Sequence, residues 1–355
     1  MLYVIGILIK MGIVVGISQG AVAYLILVER KIAAWAQDRI GPNRCGPFGL
    51  IQPLADGAKF IVKEDVIPDY VNKPLYVLAP IIAIVAATIS FAVVPFGPVG
   101  ATGVNVPFGW FGEAGQNIQF QIAPGLDVGI VYVFAIGSLA VYAVILAGYS
   151  SNNKYSFLGG LRSSAQIISY EIPLGMSILG IVLIAGSLDL NTIINWQDGH
   201  VWGIVVSPLG FLLFLISSFA ETNRLPFDLP EAEQELVGGF HTEYSAMKFG
   251  MFFLGEYLNI ITTCFLVTIL FLGGWDLPYV PLLNQNDVGL FSAILKLLVL
   301  LAKVGALILF VMWIRWTLPR FRYDQLMDLA WKRMIPLAIL NLVATAAIVQ
   351  LIRGS

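Results

Sequence analysis

Eight apolar runs, each near or above the ~20 residues that a helix needs to cross a bilayer, divide the 355-residue chain. They cover about 2–28, 75–95, 126–149, 166–187, 203–220, 249–273, 289–314 and 334–352. A backbone N–H or C=O left unpaired in lipid is costly, so runs of this kind must be helices. The expected fold is therefore all-α, a polytopic membrane helix bundle forming one integral membrane domain over 1–355. Charge agrees: only 12% of residues are charged, about half the share of a soluble domain. Basic patches that would hold nucleic acid are missing. The first run has no basic flank before it and no small-residue cleavage site after it, so it reads as a retained helix.

The loops fix the topology. Those at 29–74, 150–165, 221–248 and 315–333 hold 16 of the 20 Lys and Arg, and those at 96–125, 188–202 and 274–288 hold none. Basic loops stay on the side of synthesis. Both termini are thereby expected on the opposite, periplasmic side. Two cysteines without a C-x-x-C pattern, and no histidine within an apolar run, leave no ligand set for an iron–sulfur cluster or a haem. No metal or cofactor is expected to be bound by this chain.

On the basic side, Glu29, Arg30 and Lys31 close the first run, and Arg39 and Arg44 bracket a Gly/Pro turn. Over 47–64 Leu50, Leu54, Ala58 and Ile61 recur at helical spacing, opposite Gln52, Asp56, Lys59 and Lys63. This helix is too short and too polar to span, so it lies in the interface. One reading is a surface anchor. The other is the mouth of a site for a lipophilic substrate, with arginine on a polar head and apolar walls on the tail.

Ionisable groups inside spans are costly and point to function. Glu171 lies a turn into the fourth span, followed by Pro173, and Glu256 is placed similarly in the sixth. Lys296 and Lys303 are seven apart in the seventh, on one face, and read as part of a polar path. The loop 221–248 carries six acids against two bases, Arg224 and Lys248. Asp228-Leu229-Pro230-Glu231 has the form of a helix cap with an early proline, and the loop is expected to contain short helices. Glu231 and Glu235 share a face and Glu233 points away. A solvated acidic first turn is one reading. Pro226, Phe227, Val237 and Phe240 favour a packed loop, where carboxylates share protons.

Four long blocks carry a resemblance over nearly the whole chain: VERK to AQDRIGPNRCGPFGLIQPLADGAKFIVKED, SSNNKYSFLGGLRSSAQIISYEIP, ETNRLPFDLPEAEQELVGGFHTEYSAMKFGMFFLGEY and RWTLPRFRYDQLMDLAWK. They resemble the H-type membrane component of the bacterial proton-pumping NADH:quinone oxidoreductase, called subunit 1 in mitochondrial complex I. The resemblance implies a subunit of a translocating oxidoreductase in the bacterial inner membrane. It implies a quinone, ubiquinone or menaquinone, as substrate. Partners would be the hydrophilic subunits with the terminal iron–sulfur cluster and quinone-head site, the flavin-bearing NADH subunit, small membrane subunits and lipid. Arg30, Arg39, Asp56, Phe227 and Asp228 would line the quinone chamber. Glu171, Glu221, Glu231, Glu233, Glu235, Glu256, Lys296 and Lys303 would form the proton path. Some members carry a further carboxylate in the third span, where this chain reads SLAVYAVILAGY and leaves Tyr142 to relay through water.

Two rivals share features with this reading. The membrane anchor of an energy-converting hydrogenase has the same helix layout, but the VERK-to-KED and PEAEQEL blocks favour the quinone enzyme. A stand-alone cation/proton transporter would use intramembrane Glu and Lys, but the spans show no internal repeat.

Overall fold

The computed structural model describes residues 2–97, 104–105, 117–118, 121–123, 126–198, 201–230, 233–277 and 290–354. In chain order the helices are α1 (Leu2–Ala36), α2 (Gln52–Val62), α3 (Lys73–Ile89), α4 (Gly129–Ser150), α5 (Lys154–Ala185), α6 (Leu190–Asp198) and α7 (Gly203–Val206). Then come α8 (Pro208–Glu221), α9 (Glu233–Leu236), α10 (Ala246–Phe271), α11 (Leu290–Thr317), α12 (Tyr323–Asp328) and α13 (Ile335–Gly354). A turn of π-helix, Leu329–Met334, joins α12 to α13, so Tyr323–Leu351 forms one span. A single short antiparallel pair, Val104 with Ile118 and Asn105 with Asn117, is the described exception to the all-helical design.

Seven helices among the described residues are long and apolar enough to cross a bilayer. The fifth of the eight expected spans, 203–220, is broken. Pro208 offers no N–H and forces the residue before it out of the helical region, and Ser207 sits at φ −134, ψ 70. What remains is α8, 14 residues long and so about 21 Å at the helical rise, short of the ~30 Å hydrocarbon core. The expected loop 150–165 is likewise mostly helix, because Asn153 caps α5 by accepting the Tyr155 N–H at 3.0 Å. The interfacial helix forms as expected but is confined to Gln52–Val62, with Pro53 in its first turn.

The bundle is built around α10, of whose apolar window 72% is buried, against 17–50% for the other spans. Its core cluster takes in Phe91 in the turn after α3, Ile130 of α4, Leu174 and Ile178 of α5, Phe214 of α8, and Leu300 and Val304 of α11. A second cluster under the basic side packs Tyr170 of α5 against Phe227, Leu229 and Leu326. Remaining apolar side chains, such as Ile17 on α1 and Val343 on α13, face outward, as a lipid-contacting surface requires.

Candidate functional site

The basic-side ends of the helices bring charge together in two places. At the mouth, Arg30, just inside the end of α1, pairs with Asp56 of α2 at 2.7 Å. Gln52 Nε2 donates to the same carboxylate at 3.0 Å, and Lys31 Nζ donates to the Phe48 carbonyl at 2.8 Å. Asp56 is thus the tie between the interfacial helix and the first span. Arg39 is not part of it, since its Nε donates to Gln37 Oε1 within an exposed turn.

Deeper in, α1, α10, α11 and the acidic loop are joined by one constellation. Glu29 accepts from Tyr257 Oη and from Arg315. Arg224, 3% exposed, pairs through Nε with Glu256 at 2.8 Å. Its guanidinium lies 4.4 Å from the centre of the Tyr257 ring, an aromatic face that attracts a desolvated cation. Tyr257 therefore touches both ion pairs, Glu29–Arg315 through its hydroxyl and Arg224–Glu256 through its ring. Buried charges of this kind are tolerated only when paired. No local spacing marks Glu29, Arg224, Tyr257 and Arg315 as a group, because they are spread across nearly the whole chain.

Beneath the acidic loop is a cavity of about 90 Å³. Glu221, Glu256 and His241 line it, with Asn223, Asn259 and Thr262. Glu221 points at α4, where a side chain on Gly137 would meet its Oε1 at 3.5 Å. Glu171 lies within electrostatic reach of Glu221. Of the expected path residues, Glu221 and Glu256 line the cavity and Glu171 stands beside it. Tyr142 does not: it is 60% exposed on the outer surface of α4.

The acidic loop corrects several expectations. The Asp228 carboxylate pairs with Arg320 at 3.0 Å, and residues 231–232, which open the turn it would cap, lie outside the described ones. Phe227 is buried between Tyr170 and a stacked Phe321, 5.9 and 5.4 Å away. Glu235 is not packed, since its side chain is 57% exposed and pairs with Arg162 at 2.6 Å. Val237 is also exposed, at 63%, whereas Phe240 is buried. Glu231 lies outside the described residues, as does the side chain of Glu233. Glu243 anchors the loop instead, accepting from Tyr70 Oη at 2.8 Å and Asn153 Nδ2 at 2.6 Å. That hydrogen bond to the carboxylate pushes the Tyr70 hydroxyl above its ordinary range. Burial pushes the neighbouring Tyr244 up to about 12, the hydrogen bond with Ser150 opposing it.

The two lysines part company. Lys296 is fully buried on α11. Lys303 turns towards the non-basic end of α10, donating to the carbonyls of Leu272 at 2.7 Å and Gly274 at 3.0 Å and to that of Asp276. Its ammonium lies 4.5 Å from the Trp202 ring centre. Asp276 is held above the ordinary aspartate range by burial and by a shared hydrogen bond with Asp198. Lys303 thus clasps the turn after α10.

The fold and this geometry define a polytopic membrane helix bundle with a charge-lined cavity under its basic face. The family model described as NADH dehydrogenase matches residues 9–346. The chain is 46% identical to one of the H-type components of NADH-quinone oxidoreductase, numbered 1, from Cytophaga hutchinsonii, over 92% of each chain. It is 52% identical to the H-type component of NADH-quinone oxidoreductase from Leptospira biflexa, over 89% of this chain and 86% of that one. To NADH-quinone oxidoreductase subunit 8 of Rhodothermus marinus it is 46% identical, over 91% of each. The chain belongs to the NADH dehydrogenase family, as its sequence blocks led us to expect.

Proposed function

We propose that this chain is the membrane subunit of an NADH:quinone oxidoreductase that admits the quinone and couples its reduction to proton translocation. The observation that carries this is the continuity of charge from mouth to cavity. Arg30 and Asp56 stand at the lipid interface, Glu29 and Arg315 one step in, and Arg224 with Glu256 at the cavity wall. The exposed apolar residues Leu54 and Ile61 of α2 give an isoprenoid tail a surface beside the Arg30–Asp56 pair. Reduction of a quinone head creates transient negative charge. Carboxylates within Coulomb reach respond by taking up protons, the more so where water is scarce.

In this reading Arg30, Asp56 and Arg39 belong to the entrance, with Arg39 on its exposed rim, and Phe227 and Asp228 support the chamber wall by packing and pairing. Glu221, Glu256 and Glu171 are the protonated groups. Glu231, Glu233 and Glu235 form the acidic approach, and Lys296 and Lys303 lie towards the far side. Flavin, iron–sulfur clusters and the site of the quinone head belong to hydrophilic partner subunits docked on the basic face. Small membrane subunits and lipid cover the outward apolar helices. The chain sits in a bacterial inner membrane with both termini periplasmic.

The test is Glu221→Gln and Glu256→Gln in the assembled complex. Quinone reduction and proton pumping are expected to fall by about 10²-fold, the scale of a lost proton-transfer group, while NADH oxidation by ferricyanide persists. Wild-type quinone reduction and pumping in both variants would overturn the reading.

A further inference from the structure

We propose that His241 is the group through which protons enter the carboxylate cavity from the basic side. This rests on the proton-coupling role proposed above and adds a named entry point to it. Among the described residues, three titratable side chains line the cavity. Glu221 and Glu256 come from membrane helices, at the end of α8 and within α10. His241 alone comes from the loop, in the turn Gly239–His241. The other polar lining groups, among them Asn223, Asn259 and Thr262, cannot titrate but can hold the few water molecules for which the cavity has room.

The backbone places the imidazole there by a close contact. A Cβ on Gly159 of α5 would come within 2.8 Å of the Gly239 backbone, so only glycine lets the turn sit this low. Phe240 and Phe249 then flank the ring edge-on, each 5.1 Å away. Four residues earlier the chain is at the surface, where Val237 is exposed. His241 itself is half-buried, so it lies between that surface and the cavity wall. An imidazole can accept a proton on one ring nitrogen and release one from the other near neutral pH. The step balances as a relay: hydronium at the surface gives a proton to one nitrogen and is left as water, the other nitrogen gives one to cavity water, that water passes one to a carboxylate, and the imidazole is left neutral in its other tautomer.

The charged groups on the surrounding elements are mostly engaged elsewhere. α4 carries none, and on α5 Arg162 pairs with Glu235 of the loop. Lys154 of α5 lies over Tyr155. Lys248 of α10 pairs with Asp65, and Glu243 holds Tyr70 and Asn153. Arg224 pairs with Glu256. Glu221, with Glu171 beside it, has no ion-pair partner among the described residues, which makes it the natural acceptor.

The experiment compares His241→Gln with the wild type in the assembled, membrane-embedded complex, with His241→Asn as a second variant should the first fail to assemble. Proton-coupled quinone reduction is expected to fall by about 10²-fold, with NADH:ferricyanide activity kept as evidence of assembly. Imidazole added to the medium is expected to restore the rate in a concentration-dependent way, because a soluble carrier replaces the lost one. A purely structural role would not respond to imidazole. An assembled variant with wild-type rate, or with a loss that imidazole leaves unchanged, would overturn the proposal. If Glu221→Gln is impaired while His241→Gln is not, the entry point alone fails. If neither is impaired, the coupling role fails with it.

Discussion

Arg224 makes the sharpest demand at the scale of single residues. It is buried, and it neutralises Glu256. Removing one partner of such a pair strands the other charge, at a cost of about 3–5 kcal/mol. Arg224→Met is therefore expected to lower the assembled fraction of the complex on native gels, and Arg224→Met with Glu256→Gln to recover much of it. A double variant as poorly assembled as the single one would show that the pairing is not what matters. The residue scale is also where the sequence was least informative. Glu171 and Glu256 stood out because a carboxylate in an apolar run is conspicuous, and Glu221 through the ETNR block. Arg224 and Arg315 did not, since arginine in a basic-side loop is ordinary. Tyr257 is an aromatic among many, and His241 was hidden in a loop noticed for its acids.

At the scale of elements, close approaches of backbone set the positions that matter. α5 carries Gly159 against the turn Gly239–His241, which gives a second use to a glycine in the SFLGGLRSS block. Gly159→Val is expected to push the turn off α5 and destabilise the loop by about 1–3 kcal/mol, the usual cost of overpacking. Faster amide exchange over 237–245 is the measurement, and unchanged protection there would contradict it. Apolar period and loop charge made seven spans and the interfacial helix legible, because burial in lipid and the charge asymmetry act on every residue of a run. The broken fifth span was written in Pro208 but masked by continuous hydropathy. The early start of α5 was masked by Ser and Gly, which look like loop. In the acidic loop the short helices were legible, but the spacing of the acids did not reveal the ion pairs to Arg162 and Arg320 that hold Glu235 and Asp228 in place.

For the whole molecule, the two ends of the bundle respond to pH differently. The basic end is built from ion pairs and the other from the clasp of Lys303, Asp276 and Asp198. Asp276 binds its proton more tightly folded than unfolded, because burial and Asp198 disfavour its charge. Its contribution to stability is therefore complete below the ordinary aspartate range and is lost as pH rises through the raised folded value. Asp276→Asn should remove that slope. Melting temperatures of the purified complex from acid to neutral pH are expected to fall in the wild type relative to the variant, and parallel curves would refute the assignment.

The shortness of α8 has an electrical consequence. Glu221 sits at its basic-side end, with only about 21 Å of helix beyond it. In the proposed orientation, a proton reaching Glu221 from the basic side has crossed the smaller part of the membrane voltage. The larger share of the work, about 2.3 kcal/mol per charge for each 100 mV across the whole membrane, is left for the transfers that follow. Filling the carboxylates would then feel the voltage less than emptying them towards the far side.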